Sequence, residues 1–252
     1  MPAQRSGRDA PKRAGRRVPR NTLSRPLILE AALELIDTAG LEAVTMPSVA
    51  RRLGVGTMSL YRHVKDKGDL IDAVAEGVMG QIAVPDGAAD DWEGRVVGYL
   101  RALRETAVAH PALGRILADH GLTVGPVFVQ LETVHGILVR AGFAPRDAVR
   151  AFYSLFTYVF GSVMWELPRV HQQPAAAYAA SWNHAIDALS PGDYPHLHAL
   201  RADLISAASP DQFEYGLSLL VESLRTRAPG SNSHPAAASM RRVRESSDES
   251  QQ

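Results

Sequence analysis

Cysteine is missing from the 252 residues of this chain. The chain therefore has no disulfide bond, no thiolate metal site and no cysteine nucleophile. Hydrophobic residues make up 46% of the sequence and charged residues 21%. Both values are ordinary for a globular protein, so disorder over the whole chain is excluded.

Long hydrophobic runs are missing as well. The longest uncharged apolar run covers residues 151–165, whereas a transmembrane helix needs about 20 residues. We interpret this run as a buried core helix and expect no membrane partner. The first 25 residues are basic but lack the apolar stretch of a secretory signal, so we expect a cytoplasmic protein.

The chain also has no net charge, because 27 Lys and Arg residues balance 27 Asp and Glu residues. That balance alone argues against nucleic-acid binding, since phosphate contacts need basic side chains. The charge is unevenly distributed, however. Residues 1–67 hold thirteen basic and six acidic residues, a net +7, and the remainder carries −7. A basic N-terminal part followed by an acidic remainder indicates a nucleic-acid or membrane contact at the basic end.

Catalytic motifs are scarce. The sequence contains no His-Glu-x-x-His, no Gly-x-Ser-x-Gly and no Walker loop. The Gly-x-Gly at 54–56 follows a predicted helix and lacks the third glycine of a dinucleotide site. His196 and His198 are expected in a solvated loop flanked by proline. We therefore predict that the protein is not an enzyme and needs neither cofactor nor metal.

Apolar residues recur at helical spacing along the chain, and no strand pattern competes. The sequence predicts an all-α protein with an N-terminal three-helix helix-turn-helix DNA-binding domain and a helical C-terminal regulatory and dimerisation domain. The predicted helices begin near Pro26 and continue over 46–53, 57–63, 67–82, 92–109, 111–118, 126–141, 145–167, 175–189 and 209–226. Ser24, Thr45, Asp66 and Ser209 are the predicted N-caps.

The predicted domain limits follow from composition. Residues 1–24 read as a disordered basic arm, 25–83 as the DNA-binding domain, 84–227 as the C-terminal domain and 228–252 as a disordered tail. The basic arm is either a solubilising tail or a segment that follows phosphates or enters a minor groove.

Two short helices joined by a glycine-containing turn describe a helix-turn-helix. Its second helix has to enter a major groove about 12 Å wide and present side chains that hydrogen-bond to base edges. Residues 57–62 provide such side chains around Leu60, which faces inward. Tyr61 and Lys67 can reach phosphate oxygens.

The stretch 45–67, TMPSVARRLGVGTMSLYRHVKDK, resembles the TetR family of bacterial transcriptional repressors, above all in its Leu-Tyr-x-His-Val-x-x-Lys core. Residues 92–224 are similar, more loosely, to the regulatory domain of the tetracycline-repressor branch. The resemblance implies a homodimer that binds double-stranded operator DNA and is released when a small-molecule effector enters the C-terminal domain.

The resemblance also implies roles for single residues. The base-reading positions of the family fall on Met46, Pro47, Thr57, Met58, Ser59 and Arg62, and its backbone-contacting positions fall on Thr45, Tyr61, His63 and Lys67. Pro47 stands where the tetracycline repressor has a base-reading arginine, and Arg62 stands where it has tryptophan. A different operator is therefore expected. We hypothesise that Arg62 reads a guanine or clamps a phosphate.

In the C-terminal domain the resemblance implies a ligand pocket, although a filled core is the alternative at each position. The implied lining residues are Tyr99, Leu103, Leu117, Leu131, Val134, His135, Phe152, Tyr153 and Phe156. Leu117 stands where the branch has a metal-chelating histidine, while Glu166 matches an acidic residue at the pocket edge. We therefore predict a largely apolar effector that needs no metal.

The predicted helix 145–167 is apolar nearly all round, which indicates burial on two sides. The family pairs this helix with the one at 209–226 in a dimeric four-helix bundle, so we expect a homodimer through these helices. A helix-turn-helix regulator without a small-molecule ligand, either gated by a protein partner or acting as an activator, is the alternative.

Overall fold

The computed structural model describes residues 23–88, 91–120, 125–170, 174–207 and 209–226. Within these ranges every regular element is helical, apart from turns, and no strand occurs. The all-α prediction is confirmed. The helices are α1 (Arg25–Ala39), α2 (Met46–Leu53), α3 (Thr57–Leu60), α4 (Lys67–Gly80), α5 (Trp92–Ala109), α6 (Leu113–His120), α7 (Gly125–Arg140), α8 (Pro145–Val170), α9 (Ala175–Asp187), α10 (Pro195–Ala199), α11 (Arg201–Ser206) and α12 (Pro210–Arg225).

The described residues form two compact units. The N-terminal unit contains residues 23–78 and 115–120, and the C-terminal unit contains the rest. The segment 115–120 belongs to the N-terminal unit, where the Arg115 guanidinium lies 2.6 Å from a Glu42 carboxylate oxygen. The domain limits inferred from the sequence stay a prediction. The predicted tail and all but residues 23 and 24 of the predicted arm lie outside the described residues.

Helix α2 begins and ends with local signals. The Thr45 hydroxyl accepts a hydrogen bond from the Ser48 amide at 3.1 Å, and the Ser48 hydroxyl accepts one from the Thr45 amide at 2.9 Å. These reciprocal bonds form a capping box, which satisfies amides that a helix start leaves without partners. Gly54 ends the helix at φ +67°, a left-handed conformation that glycine adopts without strain. The turn to α3 is therefore encoded locally.

Helix α3 is shorter than predicted. Only 57–60 are helical, and residues 61–63 continue as a hydrogen-bonded turn in which the His63 amide reaches the Leu60 carbonyl at 2.8 Å. Asp66 caps the next helix, where its carboxylate accepts a hydrogen bond from the Asp69 amide at 2.9 Å. The predicted cap at Asp66 is confirmed, and the predicted helix end at 63 is wrong.

Helix α8 is the centre of the C-terminal unit and packs against α5, α7, α9 and α12. Its buried apolar side chains lie along one stripe of the helix. They are Ala148, Ala151, Phe152, Leu155, Val159 and Val163. This stripe positions Phe152 among the residues of the predicted effector site.

The segment before α12 corrects the prediction of a solvated loop. Pro195 starts α10, a position where its missing amide proton costs nothing. His198 is half-buried, and its Nε2 lies 3.1 Å from the Leu189 carbonyl. Within the described residues no helix is long and apolar enough to cross a membrane.

Candidate nucleic-acid interface and effector site

One buried side chain orients α3. Leu60 is fully buried, whereas Met58 is 77% exposed and Tyr61 is 46% exposed. Thr57 and Ser59 are half-buried, and Arg62 is exposed. The predicted reading residues of this helix and of the turn after it therefore share the outer side, around a single apolar anchor.

The arginines of the N-terminal unit differ in whether an acidic side chain pairs with them. Arg52 is occupied, because its Nε lies 2.7 Å from a Glu34 carboxylate oxygen that its Nη2 also contacts. Arg51 and Arg62 are exposed and make no hydrogen bond or ion pair among the described residues. An unpaired guanidinium is free to bind a guanine edge or a phosphate.

The start of α2 presents two of its three predicted contacts. Thr45 and Pro47 are exposed, but Met46 is only 6% exposed and belongs to the core. Met46 faces inward because it is the first residue of a short amphipathic helix that also buries Val49, Ala50 and Leu53. A buried side chain is not available to a base, so the predicted base reading by Met46 is corrected.

The start of α4 leaves amides for a phosphate. The Asp69 amide is taken by the Asp66 carboxylate, while those of Lys67 and Gly68 lie in the first turn, where helices have no internal acceptor. Lys67 and His63 are both half-buried. Backbone amides and an ammonium at a helix start form a favourable environment for an anion.

The predicted effector site gathers an aromatic cluster in the C-terminal unit. The Phe152 ring centroid lies 6.3 Å from that of Tyr99, 5.2 Å from that of His135 and 5.9 Å from that of Phe156. Phe160 extends the cluster, 4.8 Å from Phe156. Sequence reasoning missed Phe160, although it continues the four-residue spacing of Phe152 and Phe156 on α8.

His135 contributes a directed polar atom to this cluster. Its Nδ1 lies 2.6 Å from the Leu131 carbonyl, which only accepts, so Nδ1 carries the proton. In the neutral ring Nε2 is then the hydrogen-bond acceptor, and the ring is half-buried. A hydroxyl or N–H group of a ligand is its natural partner.

Tyr99 contributes a hydroxyl that stays protonated. It is 1% exposed, and burial raises the pKa of Tyr99 to about 12. The hydroxyl donates to Gln130 Oε1 at 3.2 Å. Neither this bond nor the role of Gln130 was visible in the sequence, because the two residues lie 31 positions apart.

Four other predicted lining residues behave differently. Leu103 and Val134 are fully buried. Tyr153 is 70% exposed, since one residue along a helix turns the side chain by about 100° from Phe152. Leu117 is half-buried within the N-terminal unit. Tyr153 is therefore not brought to the cluster, which corrects its predicted place in the pocket, while the predicted role of Leu117 stays a prediction.

Glu166 forms an ion pair within the chain. Its Oε2 lies 2.6 Å from Arg104 Nη2, and both side chains are largely buried. The Arg104 guanidinium carbon also lies 4.9 Å from the centre of the Phe213 ring. In the described part of the chain no group of three or more His, Asp or Glu side chains is arranged to hold a metal ion.

Two cavities of the C-terminal unit lie away from the aromatic cluster. One of about 380 Å³ is lined by residues of α8 and α12 that include Tyr158 and Phe213. The other, of about 480 Å³, is lined by residues that include Phe143, Asp147 and Leu224. The residues predicted to contact the effector line neither cavity.

Known proteins share both units. Residues 28–74 match the family model of bacterial regulatory proteins of the tetR family, and residues 84–228 match the tetracyclin repressor-like C-terminal domain. The tetracycline repressor protein class A from transposon 1721 of Escherichia coli is 32% identical, over 79% of this chain and 89% of its own. An HTH-type transcriptional regulator of Saccharopolyspora erythraea is 30% identical, over 69% of this chain and 73% of its own.

A solved structure extends the likeness to three dimensions. The Streptomyces coelicolor TetR family protein ActR, in complex with actinorhodin, has a TM-score of 0.74 and 27% identity, covering 83% of this chain and 99% of its own. Together with the family models, which match more than half of the chain, this likeness identifies the protein. The chain belongs to the TetR family, a family of helix-turn-helix transcriptional regulators.

Proposed function

We propose that this protein is a repressor that binds operator DNA as a homodimer and leaves the DNA when a small-molecule effector enters its C-terminal unit. The observation that carries the DNA-binding part is the outward surface of α3 around the buried Leu60. Membership of the TetR family and the repressors among its relatives support the direction of regulation.

We assign the DNA contacts to nine of the ten predicted residues, leaving out Met46. Base contacts fall to Pro47, Thr57, Met58, Ser59 and Arg62, and backbone contacts fall to Thr45, Tyr61, His63 and Lys67. All nine are exposed or half-buried. In this assignment Met58 contacts the methyl group of a thymine, since an apolar side chain has no hydrogen bond to offer a base edge.

Selection from a pool of random duplexes tests this assignment. We expect enrichment of a palindrome whose half-sites lie about 34 Å apart, because each protomer of a homodimer presents one recognition helix. A pool that stays random after repeated rounds would contradict operator binding. A single unrepeated site would contradict the homodimer on DNA.

The homodimer is supported by apolar side chains that α8 and α12 leave exposed. On α8 these are Val149, Tyr153, Met164 and Trp165, and on α12 they are Tyr215 and Leu219. Large apolar patches on a soluble protein mark interaction surfaces. Because α8 and α12 pack against each other, the two exposed faces form one surface that a second copy can cover.

Charged residues in this surface are expected to separate the protomers. The double variant Tyr215→Glu/Leu219→Glu buries two carboxylates in the proposed interface, a cost that a dimer cannot offset without new partners. Sedimentation at micromolar concentration should find wild type at twice 27.2 kDa and the variant at the monomer mass. Val139 on α7 is 46% exposed, and Val139→Glu is the control that should stay dimeric. A dimeric double variant would refute the surface.

The effector site is proposed at the aromatic cluster of Tyr99, His135, Phe152 and Phe156. The cluster offers the half-buried rings of His135 and Phe156 and the Nε2 acceptor of His135, beside the buried rings of Tyr99 and Phe152. We infer a largely apolar effector with at least one hydrogen-bond donor. The ActR complex with actinorhodin shows that a relative of this fold accommodates a small molecule.

Magnesium-loaded tetracycline is expected not to release this protein from its operator. Leu117 offers no metal ligand, and the Glu166 carboxylate is already paired with Arg104. The measurement is fluorescence anisotropy of a labelled operator titrated with tetracycline, with and without magnesium. Release at micromolar tetracycline that requires magnesium would show that the metal-independent assignment is wrong.

A further inference from the structure

Gln130 is a buried polar side chain that the DNA-binding and effector sites do not explain. It is only 6% exposed. Its Nε2 donates to the Met79 carbonyl at 2.5 Å and to the Ile82 carbonyl at 2.8 Å, while its Oε1 accepts from the Tyr99 hydroxyl at 3.2 Å. One side chain on α7 thus joins α5 to the end of α4.

The three bonds use the chemistry of a primary amide fully. Its two N–H groups each find a carbonyl, and its oxygen finds a hydroxyl. Met79 is among the last residues of α4, whose carbonyls have no partner within the helix. Gln130 therefore caps the C-terminal end of α4 from another helix. Methionine at this position would fill similar space but donate to neither carbonyl, so that the Met79 carbonyl would keep only the Ile82 backbone amide, at 3.1 Å.

Tyr99 makes this cap sensitive to the effector site. Its ring belongs to the aromatic cluster, and its hydroxyl is the donor on which Gln130 Oε1 depends. An effector that brings an acceptor oxygen to the Tyr99 hydroxyl would take that donor away. The buried amide oxygen would then lack a partner, a state that costs enough free energy to favour rotation of the side chain.

We propose that Gln130 is a positioning residue that couples the occupancy of the Tyr99 site to the end of α4. The proposal rests on the proposed function for the role of Tyr99 as an effector contact. Helix α4 is continuous from Lys67, which we assign to a phosphate, to Gly80. Loss of the hydrogen bonds at the last turn of α4 would destabilise the end of the same helix whose first residue, Lys67, is assigned to a phosphate. The effector chemistry implied is an acceptor oxygen directed at Tyr99, beside a donor directed at His135.

Hydrogen exchange of the full chain, without DNA or effector, tests the coupling. We expect peptides covering residues 76–84 to exchange about tenfold faster in Gln130→Met, because the Ile82 carbonyl loses the Gln130 donor and the Met79 carbonyl keeps only the Ile82 amide. Tyr99→Phe, which removes only the hydroxyl, should accelerate the same peptides severalfold. In the double variant the effect of Tyr99→Phe should vanish, since it acts through Gln130. Peptides from the centre of α8 should be unchanged, which separates local release from global unfolding.

Glu132→Met is the matched control, an apolar replacement at an exposed position of the same helix. It should leave exchange at residues 76–84 as in wild type. If Gln130→Met does not fold, Gln130→Glu replaces it, because a carboxylate accepts from Tyr99 but cannot donate to two carbonyls. Unchanged exchange in the Gln130 variant, or an equal effect of Tyr99→Phe with and without Gln130, would overturn the proposal.

Binding to the selected operator completes the test. Gln130→Met should weaken operator binding severalfold without any effector, and Glu132→Met should not. Wild-type affinity in Gln130→Met would overturn the coupling to DNA while leaving operator binding itself intact. A wild-type protein that binds no operator would refute the proposed function, and the exchange results would still decide whether Gln130 holds α4.

Discussion

Replacing Arg62 by alanine is expected to lower operator affinity by roughly tenfold to a hundredfold, the range of a good arginine contact to a base. Arg62 follows the anchored helix α3, is exposed and makes no ion pair among the described residues. Its guanidinium is therefore free for DNA. The measurement is the anisotropy of the selected operator and of a scrambled duplex with the same length and composition.

The two duplexes identify what Arg62 contacts. A loss on the operator alone indicates a guanine, and an equal loss on both indicates a phosphate. Arg52→Gln is the matched control, because Glu34 already holds that guanidinium, and it should change either affinity far less. Unchanged affinity of Arg62→Ala on both duplexes would contradict the role.

Replacing Gly216 by valine is expected to lower the free energy of unfolding by about 2 to 3 kcal/mol, as overpacking of a core does. A Cβ atom at Gly216 would lie 2.1 Å from the Tyr158 hydroxyl oxygen and 2.6 Å from the adjacent ring carbon. Tyr158 cannot simply move aside. Its hydroxyl donates to the Phe213 carbonyl at 3.0 Å, and its ring stacks on Phe213 at 5.6 Å.

Thermal and urea unfolding measure this effect. Gly77→Ala is the control, because a Cβ at Gly77 meets no atom within 4 Å and alanine favours a helix by about 1 kcal/mol over glycine. That variant should be as stable as wild type or more so. A Gly216→Val protein with wild-type stability would show that α8 and α12 do not approach as closely as described.

Features encoded within a few residues could be predicted from the sequence. The cap at Asp66, the glycine turn at Gly54 and the start of α12 at Ser209 each depend on neighbours along the chain. The capping box at Thr45 and Ser48 was predictable too, but only its threonine was recognised. The end of α3 was missed because residues 61–63 continue as a hydrogen-bonded turn, which the sequence pattern does not distinguish from a helix.

Features that depend on tertiary packing were out of reach. Gln130 bonds to carbonyls 48 and 51 residues away, and Arg104 pairs with Glu166 across 62 residues. The spacing of apolar residues along the sequence gives no information on pairs so far apart. The predicted contacts of Met46 and Tyr153 were wrong for a related reason. A family position gives a residue's place on a helix, whereas its burial depends on what packs against that helix.

The residues of the proposed effector site were predicted only in part, because their hydrogen bonds also depend on tertiary packing. Its aromatic residues on α5, α7 and α8 do meet around Phe152. The hydrogen bonds that orient His135 and Tyr99 required the structure, since hydroxyl and imidazole partners are not encoded by hydrophobic spacing. In the proposed site those bonds, more than the rings, limit which polar groups an effector would carry.

Salt dependence of operator binding tests most directly whether the basic residues of 1–67 bind DNA in a chain with no net charge. The full chain would be titrated onto the selected operator at increasing KCl concentrations. We predict that the logarithm of the binding constant falls linearly and steeply with the logarithm of salt concentration, because each phosphate contact releases counterions. Operator binding that is independent of salt, or no preference for any duplex, would contradict the assignment of the N-terminal unit to DNA.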